Sequence, residues 1–215
     1  MKDTTLCLCD LTGNGAAPWV AASYRAILVD PQHGAGVHED GNIIRVGHVV
    51  DHPETWRVIR DNMDRIAFVA AYPPCTDLAV SGSRWFKTKE EADPAYQYKA
   101  MEVVWQCHVI AEMTGAPYFI ENPVSRISSL WRKPDHSFHP WQYAGWCPDD
   151  NYTKKTCLWT GGGFIMPPHN MPDGAGKPDD RIHKCAPGPD RGNIRSATPM
   201  GFARAVFEAN KDIQE

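Results

Sequence analysis

The chain has 215 residues, of which 42% are hydrophobic and 22% charged, as is usual for a soluble globular protein of one ordinary domain. The formal net charge is −4, from 22 Lys and Arg against 26 Asp and Glu. This balance excludes a surface that is basic all over and would bind any phosphate backbone, but it does not exclude a local basic groove. The sequence has no run of about 18 apolar residues and no signal-peptide pattern, so we expect a cytoplasmic protein without a membrane anchor.

Seven cysteines are scattered along the chain, and their odd number and irregular spacing favour a reducing compartment over a disulfide framework. Two groups of His and Cys raise the question of a zinc site, but neither has the paired spacing of known zinc motifs. We therefore predict no metal site. The two groups are His136, His139, Cys147 and Cys157, and His183 with Cys185.

Residues 4–120 alternate short apolar runs with stretches of helical periodicity. This alternation predicts an α/β fold with a mostly parallel sheet and helices on both faces. The apolar runs that we predict as strands lie at 6–10, 26–30, 46–50, 66–71 and 117–120.

Three helices are predicted from their start and stop signals. One follows His52, because the proline after it suits the first helical position. A second is capped by Asp93 and stops at Gly115. The last follows Thr198-Pro199 and carries an apolar stripe along one side.

Residues 123–190 differ from the rest of the chain in composition and periodicity. They hold ten of the 18 prolines and four of the eight tryptophans, and they show little helical periodicity. The clearest strand in this stretch is at 158–160. We predict an irregular lobe over 123–190, with the tryptophans as its core, packed on an α/β domain made of 1–122 and 191–215.

Polar or reactive side chains follow four of the predicted strands, at Asp10, Asp30, Cys75 and Glu121. Ligands of open α/β sheets bind beyond the carboxyl ends of the strands, so we expect these four residues to share one rim. Gly13 follows the first strand and Asp30 ends the second, a pattern typical of a nucleoside site. The pattern allows a nicotinamide cofactor, adenosylmethionine or only a tight turn.

The segment Pro73-Pro74-Cys75 holds a thiol rigidly at the exit of a strand, because proline fixes the backbone direction and donates no ladder hydrogen bond. Glu121 is the matching carboxyl group at another strand end, and Ser81 lies on a loop that can close over a substrate. A thiol nucleophile beside a carboxylic acid suits attack on an electron-poor ring that must be protonated.

These motifs, in this order, resemble those of the cytosine-C5 DNA methyltransferase family, especially its short phage-type members. The resemblance spans nearly the whole chain, and the Pro-Pro-Cys and Glu-Asn-Pro pair is its specific part. The matching segments are 10–15 for the adenosylmethionine loop, 73–82 for the nucleophile loop, 121–123 for Glu-Asn-Pro, 152–156 for Gln-x-Arg-x-Arg, and 195–201 for the closing segment.

The resemblance implies a Rossmann-like methyltransferase fold, S-adenosylmethionine as cofactor and DNA as partner, in the host cytoplasm if the protein is phage-encoded. The residues implied for the cofactor are Asp10, Leu11, Thr12, Gly13, Gly15, Asp30, Pro31, Asp51, Pro73 and Thr198. Those implied for the substrate are Pro74, Thr76, Ser81, Arg84, Lys87, Asn122 and Lys154. Those implied for catalysis are Cys75, Glu121 and Lys155.

The implied mechanism begins with attack of the Cys75 thiolate on C6 of cytosine while Glu121 stabilises the added density at N3. C5 then accepts the methyl group, its proton leaves, and Cys75 departs. The reacting base must be flipped out of a duplex or already single-stranded.

Two departures from the family pattern bear on the substrate. Lysines stand at 154 and 155 where the family has arginines, and 123–190 is the only candidate for the missing target-recognition domain. A pyrimidine nucleotide or RNA as substrate, and a catalytically silent binding or regulatory protein, therefore stay open. The basic residues that we predict as phosphate contacts are Arg84, Lys87, Lys89, Lys154, Arg181, Arg191 and Arg195.

Overall fold

The structure is a computed structural model that describes residues 2–212. Eight strands join in a single mixed sheet. They are β1 Thr4–Leu8, β2 Arg25–Val29, β3 Val37–Asp40, β4 Ile43–Val46, β5 Ile66–Ala71, β6 Tyr118–Pro123, β7 His136–Phe138 and β8 Thr156–Gly161. The helices are α1 Ala17–Ala21, α2 Pro53–Asn62, α3 Phe86–Ala92, α4 Tyr96–Thr114, α5 Ile127–Leu130, α6 Arg191–Ser196 and α7 Met200–Asn210.

The strands lie in the order β3-β4-β2-β1-β5-β6-β8-β7, and the five central strands from β4 to β6 are parallel. β3 and β8 run antiparallel to their inner neighbours, and β7 runs antiparallel to β8. The predicted α/β fold with a mostly parallel sheet is confirmed. The chain steps outward from β1 through β2 to β4 and then returns to β5 on the other side of β1. A Rossmann-like sheet opens its ligand crevice at such a reversal.

Helices cover both faces of the sheet, as predicted. On one face Ile59 of α2 and Val104 of α4 pack against a core that includes Leu6. On the other face Trp19 of α1 and Phe202 of α7 pack against a second core. The period-two alternation of a strand sends neighbouring residues into different cores.

Local signals place the ends of two helices where they were predicted. Pro53 is the first residue of α2, and the His52 side chain caps it by accepting a hydrogen bond from the Glu54 amide at 3.2 Å. Gly115 ends α4 with φ of 61°, a left-handed conformation that glycine adopts without a Cβ clash.

Some predicted boundaries differ from the observed ones by a few residues. The third parallel strand is β4 rather than 46–50, because its pairing with β2 runs from Ile43 to Val46 and stops there. α4 begins at Tyr96, since the Asp93 carboxylate caps the preceding turn through the Ala95 amide at 3.0 Å. α7 begins at Met200, directly after Thr198-Pro199 as predicted, with Pro199 as its N-cap and no side-chain capping bond.

The segment 123–190 is more than a lobe packed on the sheet. β7 and β8 are strands of the central sheet, and β8 pairs with β6 along its whole length. β8 resembles a central strand because Leu158 faces one core while Cys157 and Trp159 face the other. Residues 162–190 contain no helix or strand beyond a single bridge between Tyr152 and Asp179.

No helix in the part of the chain that the structure describes is long and apolar enough to span a bilayer.

Trp159→Ala should destabilise the whole domain, because Trp159 is fully buried and its Nε1 donates to the Arg132 carbonyl at 2.7 Å. We expect a loss of about 3–5 kcal/mol in the free energy of unfolding, in one cooperative denaturant transition. Trp146→Ala is the control, since Trp146 is 37% exposed. A separate early transition, with the main one unchanged, would instead show an independent lobe.

Candidate active site

The carboxyl ends of β1, β2, β5 and β6 form one rim. Asp10 and Asp30 follow β1 and β2, Cys75 follows β5, and Glu121 lies within β6 near its end. The structure brings the segments of Cys75 and Glu121 together, because β5 pairs with β6 and the Asn122 side chain donates to the Pro73 carbonyl at 2.9 Å. Burial and then the Glu121 carboxylate raise the pKa of the Cys75 thiol. Asp10 and Asp30 lie on the other side of the crevice between β1 and β5, as the strand order requires.

Asp10 shapes the loop after β1 from inside. Its Oδ1 accepts hydrogen bonds from the amides of Thr12 at 3.0 Å and Gly13 at 2.8 Å, and Gly13 has φ of 70°. The Oδ2 atom of Asp10 is buried and has no hydrogen-bond partner within residues 2–212. Burial raises the pKa of this carboxyl group. An unpartnered buried acceptor at a switch point fits a ligand that brings a donor.

The ends of the loop are held by two contacts from distant parts of the chain. The side-chain amide of Asn14 donates to the Thr198 carbonyl at 3.1 Å, which ties the loop to the segment just before α7. A Cβ atom at Gly15 would overlap the hydroxyl of Tyr72, so only glycine lets the loop approach β5 so closely. These contacts give the loop a fixed shape in front of the crevice.

The other residues expected at the cofactor are spread along the same rim. Asp30 is buried and accepts a hydrogen bond from the Gln32 amide at 2.8 Å, capping a short turn that begins at the exposed Pro31. Asp51 is exposed in the turn before α2, and Leu11 is half-buried.

The nucleophile loop is fixed by its own backbone and by β6. The Cys75 carbonyl accepts hydrogen bonds from the amides of Leu78 at 3.0 Å and Ala79 at 2.8 Å, which closes a tight turn after the thiol. The buried Asn122 side chain donates to the Pro73 carbonyl at 2.9 Å. Asn122, predicted to bind substrate, therefore has a structural contact that ties Cys75 to the strand carrying Glu121.

Two backbone hydrogen bonds join the segment that follows β5 to the segment that follows β6. The Val80 amide donates to the Val124 carbonyl, and the Arg126 amide donates to the Leu78 carbonyl, both at 2.9 Å. Pro74, Thr76 and Ser81 lie exposed on the segment after β5.

Glu121 and Lys154 form a largely buried ion pair beside the thiol. Their side chains are 14% and 11% exposed, and Lys154 Nζ lies 4.0 Å from Glu121 Oε1. Burial raises the pKa of Glu121, and the Lys154 charge opposes that rise. A carboxyl group whose pKa is raised holds a proton more readily, so it can donate a hydrogen bond to a bound base.

The Cys75 thiol lies in an environment of opposing charges. Its burial and the Glu121 carboxylate raise its pKa, while Lys154 and Arg195 lower it. Arg195 is half-buried on α6, and its Nε is buried without a hydrogen-bond partner among the described residues. The sequence indicates Arg195 only as a phosphate contact, because no local pattern relates position 195 to position 75.

The structure separates the two lysines that the sequence places together. Lys154 faces Glu121, whereas Lys155, predicted to be catalytic, is exposed and lies near His139 and Cys157, whose pKa values it lowers. Successive residues of an extended chain point to opposite sides, so only one of the two can face the carboxylate. Lys154, predicted to bind substrate, is therefore the lysine that lies beside Glu121, and Lys155 is not.

The predicted phosphate contacts differ in how free their charges are. Lys89 is paired with Asp77 at 2.5 Å, and Arg181 is paired with Asp179. Arg84 instead lies over the Trp85 ring, with its guanidinium carbon 5.1 Å from the ring centroid. Lys87 Nζ lies 4.0 Å from the Glu91 carboxylate. Arg191 donates from Nε to the Cys185 carbonyl at 2.9 Å.

A cavity of about 310 Å³ opens beside the nucleophile loop, between that loop and the start of α4. Pro74, Thr76 and Tyr96 contribute to its wall. No group of three or more His, Cys, Asp and Glu side chains within residues 2–212 is arranged to hold a metal ion.

A scan against models of known protein families finds no match to this chain, and a search of curated proteins finds none either.

Changing the charges around Cys75 should move its titration in opposite directions. Glu121→Gln removes a carboxylate that raises the pKa of the thiol, so the thiolate should form at lower pH. Lys154→Met removes a cation that lowers it, so the thiolate should form at higher pH. The measurement is the rate of iodoacetamide alkylation at Cys75 against pH, followed by mass spectrometry of the peptide that contains it.

The matched control is Lys155→Met, since Lys155 is exposed and does not face Glu121. Equal shifts from Lys154→Met and Lys155→Met would contradict the separation of the two lysines.

Proposed function

We propose that this protein transfers a methyl group from S-adenosylmethionine to C5 of cytosine in DNA, with Cys75 as the covalent nucleophile. The observation that carries the proposal is the pairing of the Cys75 thiol with the buried Glu121 carboxyl group at the carboxyl ends of adjacent strands. Lys154 beside both groups completes a set that suits addition to a pyrimidine ring.

The crevice between β1 and β5 fits the cofactor. The free Asp10 Oδ2, the glycine loop after β1 and the acid that ends β2 are the groups that a nucleoside with hydroxyl and ammonium groups needs. Asp10, Gly13, Gly15 and Asp30 would hold it. When bound, it supplies an electrophilic methyl group.

Cytosine requires activation because C5 becomes nucleophilic only after C6 carries a sulfur atom. The Cys75 thiolate forms the bond to C6, and the displaced electron pair moves toward N3. Glu121 in its protonated form donates to N3 and so stabilises that charge. C5 would take the methyl group from the sulfonium of the bound cofactor, which leaves as a thioether. Water then removes the C5 proton, the C5–C6 double bond re-forms, and the C6–sulfur bond breaks to release the Cys75 thiolate.

The cations near the site favour the charged states that this chemistry needs. Lys154 and Arg195 stabilise the Cys75 thiolate at the start and at the end of the cycle. Because Lys154 also faces the Glu121 carboxylate, it can hold that group in place in both protonation states. A lysine presents a point charge rather than the planar fork of an arginine, so it orients the base less strictly.

Cys75→Ala should abolish methyl transfer and leave cofactor binding nearly unchanged, because the thiol contacts the base. The wild-type protein should form a covalent adduct with an oligonucleotide containing 5-fluorocytosine, since fluorine at C5 is not lost as a proton is. The readout is intact-mass spectrometry, with Cys185→Ala as the matched control. Methylation of cytosine without any trapped adduct would rule out the covalent route.

Duplex DNA, single-stranded DNA, RNA and free nucleotides should be compared in the same assay with labelled cofactor and nucleoside analysis of the product. Methylation of free nucleotide or RNA in preference to DNA would change the substrate but keep the chemistry. Binding without transfer to any of the four would favour the silent regulatory protein.

Asp30→Ala should weaken cofactor binding by about 1.5–3 kcal/mol, or roughly ten- to a hundredfold, because it removes a charged hydrogen-bond acceptor. Isothermal titration calorimetry gives the affinity directly. Asp30→Asn is the control for folding, since it can still cap the turn at Gln32. Unchanged affinity in both variants would place the cofactor elsewhere.

A further inference from the structure

Three exposed apolar side chains lie on the two chain segments that follow Cys75 and Glu121. Trp85 is 54% exposed, and Val80 and Val124 are 45% and 44% exposed. Val80 lies five residues after Cys75, and Val124 lies three residues after Glu121. We call Val80, Trp85 and Val124, with Arg84, the stacking platform.

The platform is held in place by the same bonds that hold the active site. The bond from the Val80 amide to the Val124 carbonyl, at 2.9 Å, and the bridge between Ala79 and Ser125 set the two valines on paired backbones. Trp85 ends the short helical turn at 80–85 and is the N-cap of α3, so its backbone belongs to regular structure although its ring is exposed. A partner on this surface therefore lies at a fixed offset from the thiol.

Single exposed apolar side chains are common on protein surfaces and need no explanation. These three, however, lie on the two segments that carry Cys75 and Glu121, and a backbone hydrogen bond joins two of them, Val80 and Val124. Burying such a surface against a partner would recover the free energy lost by exposing it to water.

The charges around the platform favour an anionic partner with flat rings. The Arg84 guanidinium lies over the Trp85 ring, and neither Arg84 nor Arg126 pairs with a carboxylate among the described residues. An exposed aromatic ring in contact with the unpaired Arg84 guanidinium group is a combination with which proteins bind the bases and phosphates of single strands.

We propose that the stacking platform binds single-stranded nucleic acid, with a base next to the reacting cytosine stacked on Trp85. This inference rests on the proposed function and deepens it by naming the strandedness of the substrate. The face of a base in an intact duplex is covered by its neighbours in the stack, so an exposed indole gains a partner only from an unpaired strand. The Arg84 and Arg126 charges then face the phosphates on either side of that base.

The test is fluorescence anisotropy with a labelled 12-nucleotide strand containing one cytosine, alone and as a duplex, without cofactor. Trp85→Ala should weaken binding of the single strand by about five- to a hundredfold, because stacking contributes about 1–3 kcal/mol per base. Trp85→Phe keeps an aromatic face and should retain most of the affinity. Trp146→Ala, at the other exposed tryptophan beside α7, should leave binding unchanged.

Removing the bases that flank the cytosine gives a second, independent readout. Strands with abasic sites on both sides should bind the wild-type protein and Trp85→Ala equally, since no base is left to stack. Equal binding of the intact strand by both proteins, or an equal loss for strand and duplex, would overturn the platform.

The outcome for the platform is separate from the outcome for the proposed chemistry. Strand binding that depends on Trp85, without methylation of any nucleic acid, would support the platform and refute the proposed function. Full adduct formation by Trp85→Ala on a single strand containing 5-fluorocytosine, with unchanged affinity, would refute the platform and support the proposed function.

Discussion

The hydrogen bond from the side-chain amide of Asn122 to the Pro73 carbonyl is the constraint on which the geometry of the site depends. Asn122 is 1% exposed, and this 2.9 Å bond joins the residue after Glu121 to the proline two positions before Cys75. Proline offers no amide hydrogen at either position 73 or 74, so backbone pairing to β6 ends there and a side chain must replace it. The buried Asn122 side chain therefore holds the segment that carries Cys75 next to the strand that carries Glu121.

Burial and charge act against each other at this site. Burial favours the neutral form of Cys75 and of Glu121, and the Glu121 carboxylate raises the pKa of the Cys75 thiol further. Lys154 and Arg195 offset part of that rise. The pH at which the Cys75 thiol ionises therefore depends on which of the neighbouring charges are present.

Local signals account for most of what the sequence could predict. Proline after His52, glycine at 115 and an acid or cysteine after each of four apolar runs act over a few residues, so they identified two helix ends and the residues of the rim. Lys154 and Lys155 could not be distinguished, because the side that each faces depends on how β8 pairs with β6. The pairing of Lys89 with Asp77 and the approach of Arg195 to Cys75 depend likewise on tertiary contacts.

The long connection from β8 to α6 has a consequence for engineering. It leaves the sheet after Gly161, is exposed through nearly all of 171–190, and rejoins the rim at α6, where Asn193 contacts Gln32. Doubling the length of a flexible loop costs only about 0.6 kcal/mol in closure entropy. We therefore expect the fold to accept an inserted domain in this connection, next to the crevice, without a change in the pairing of β5 with β6.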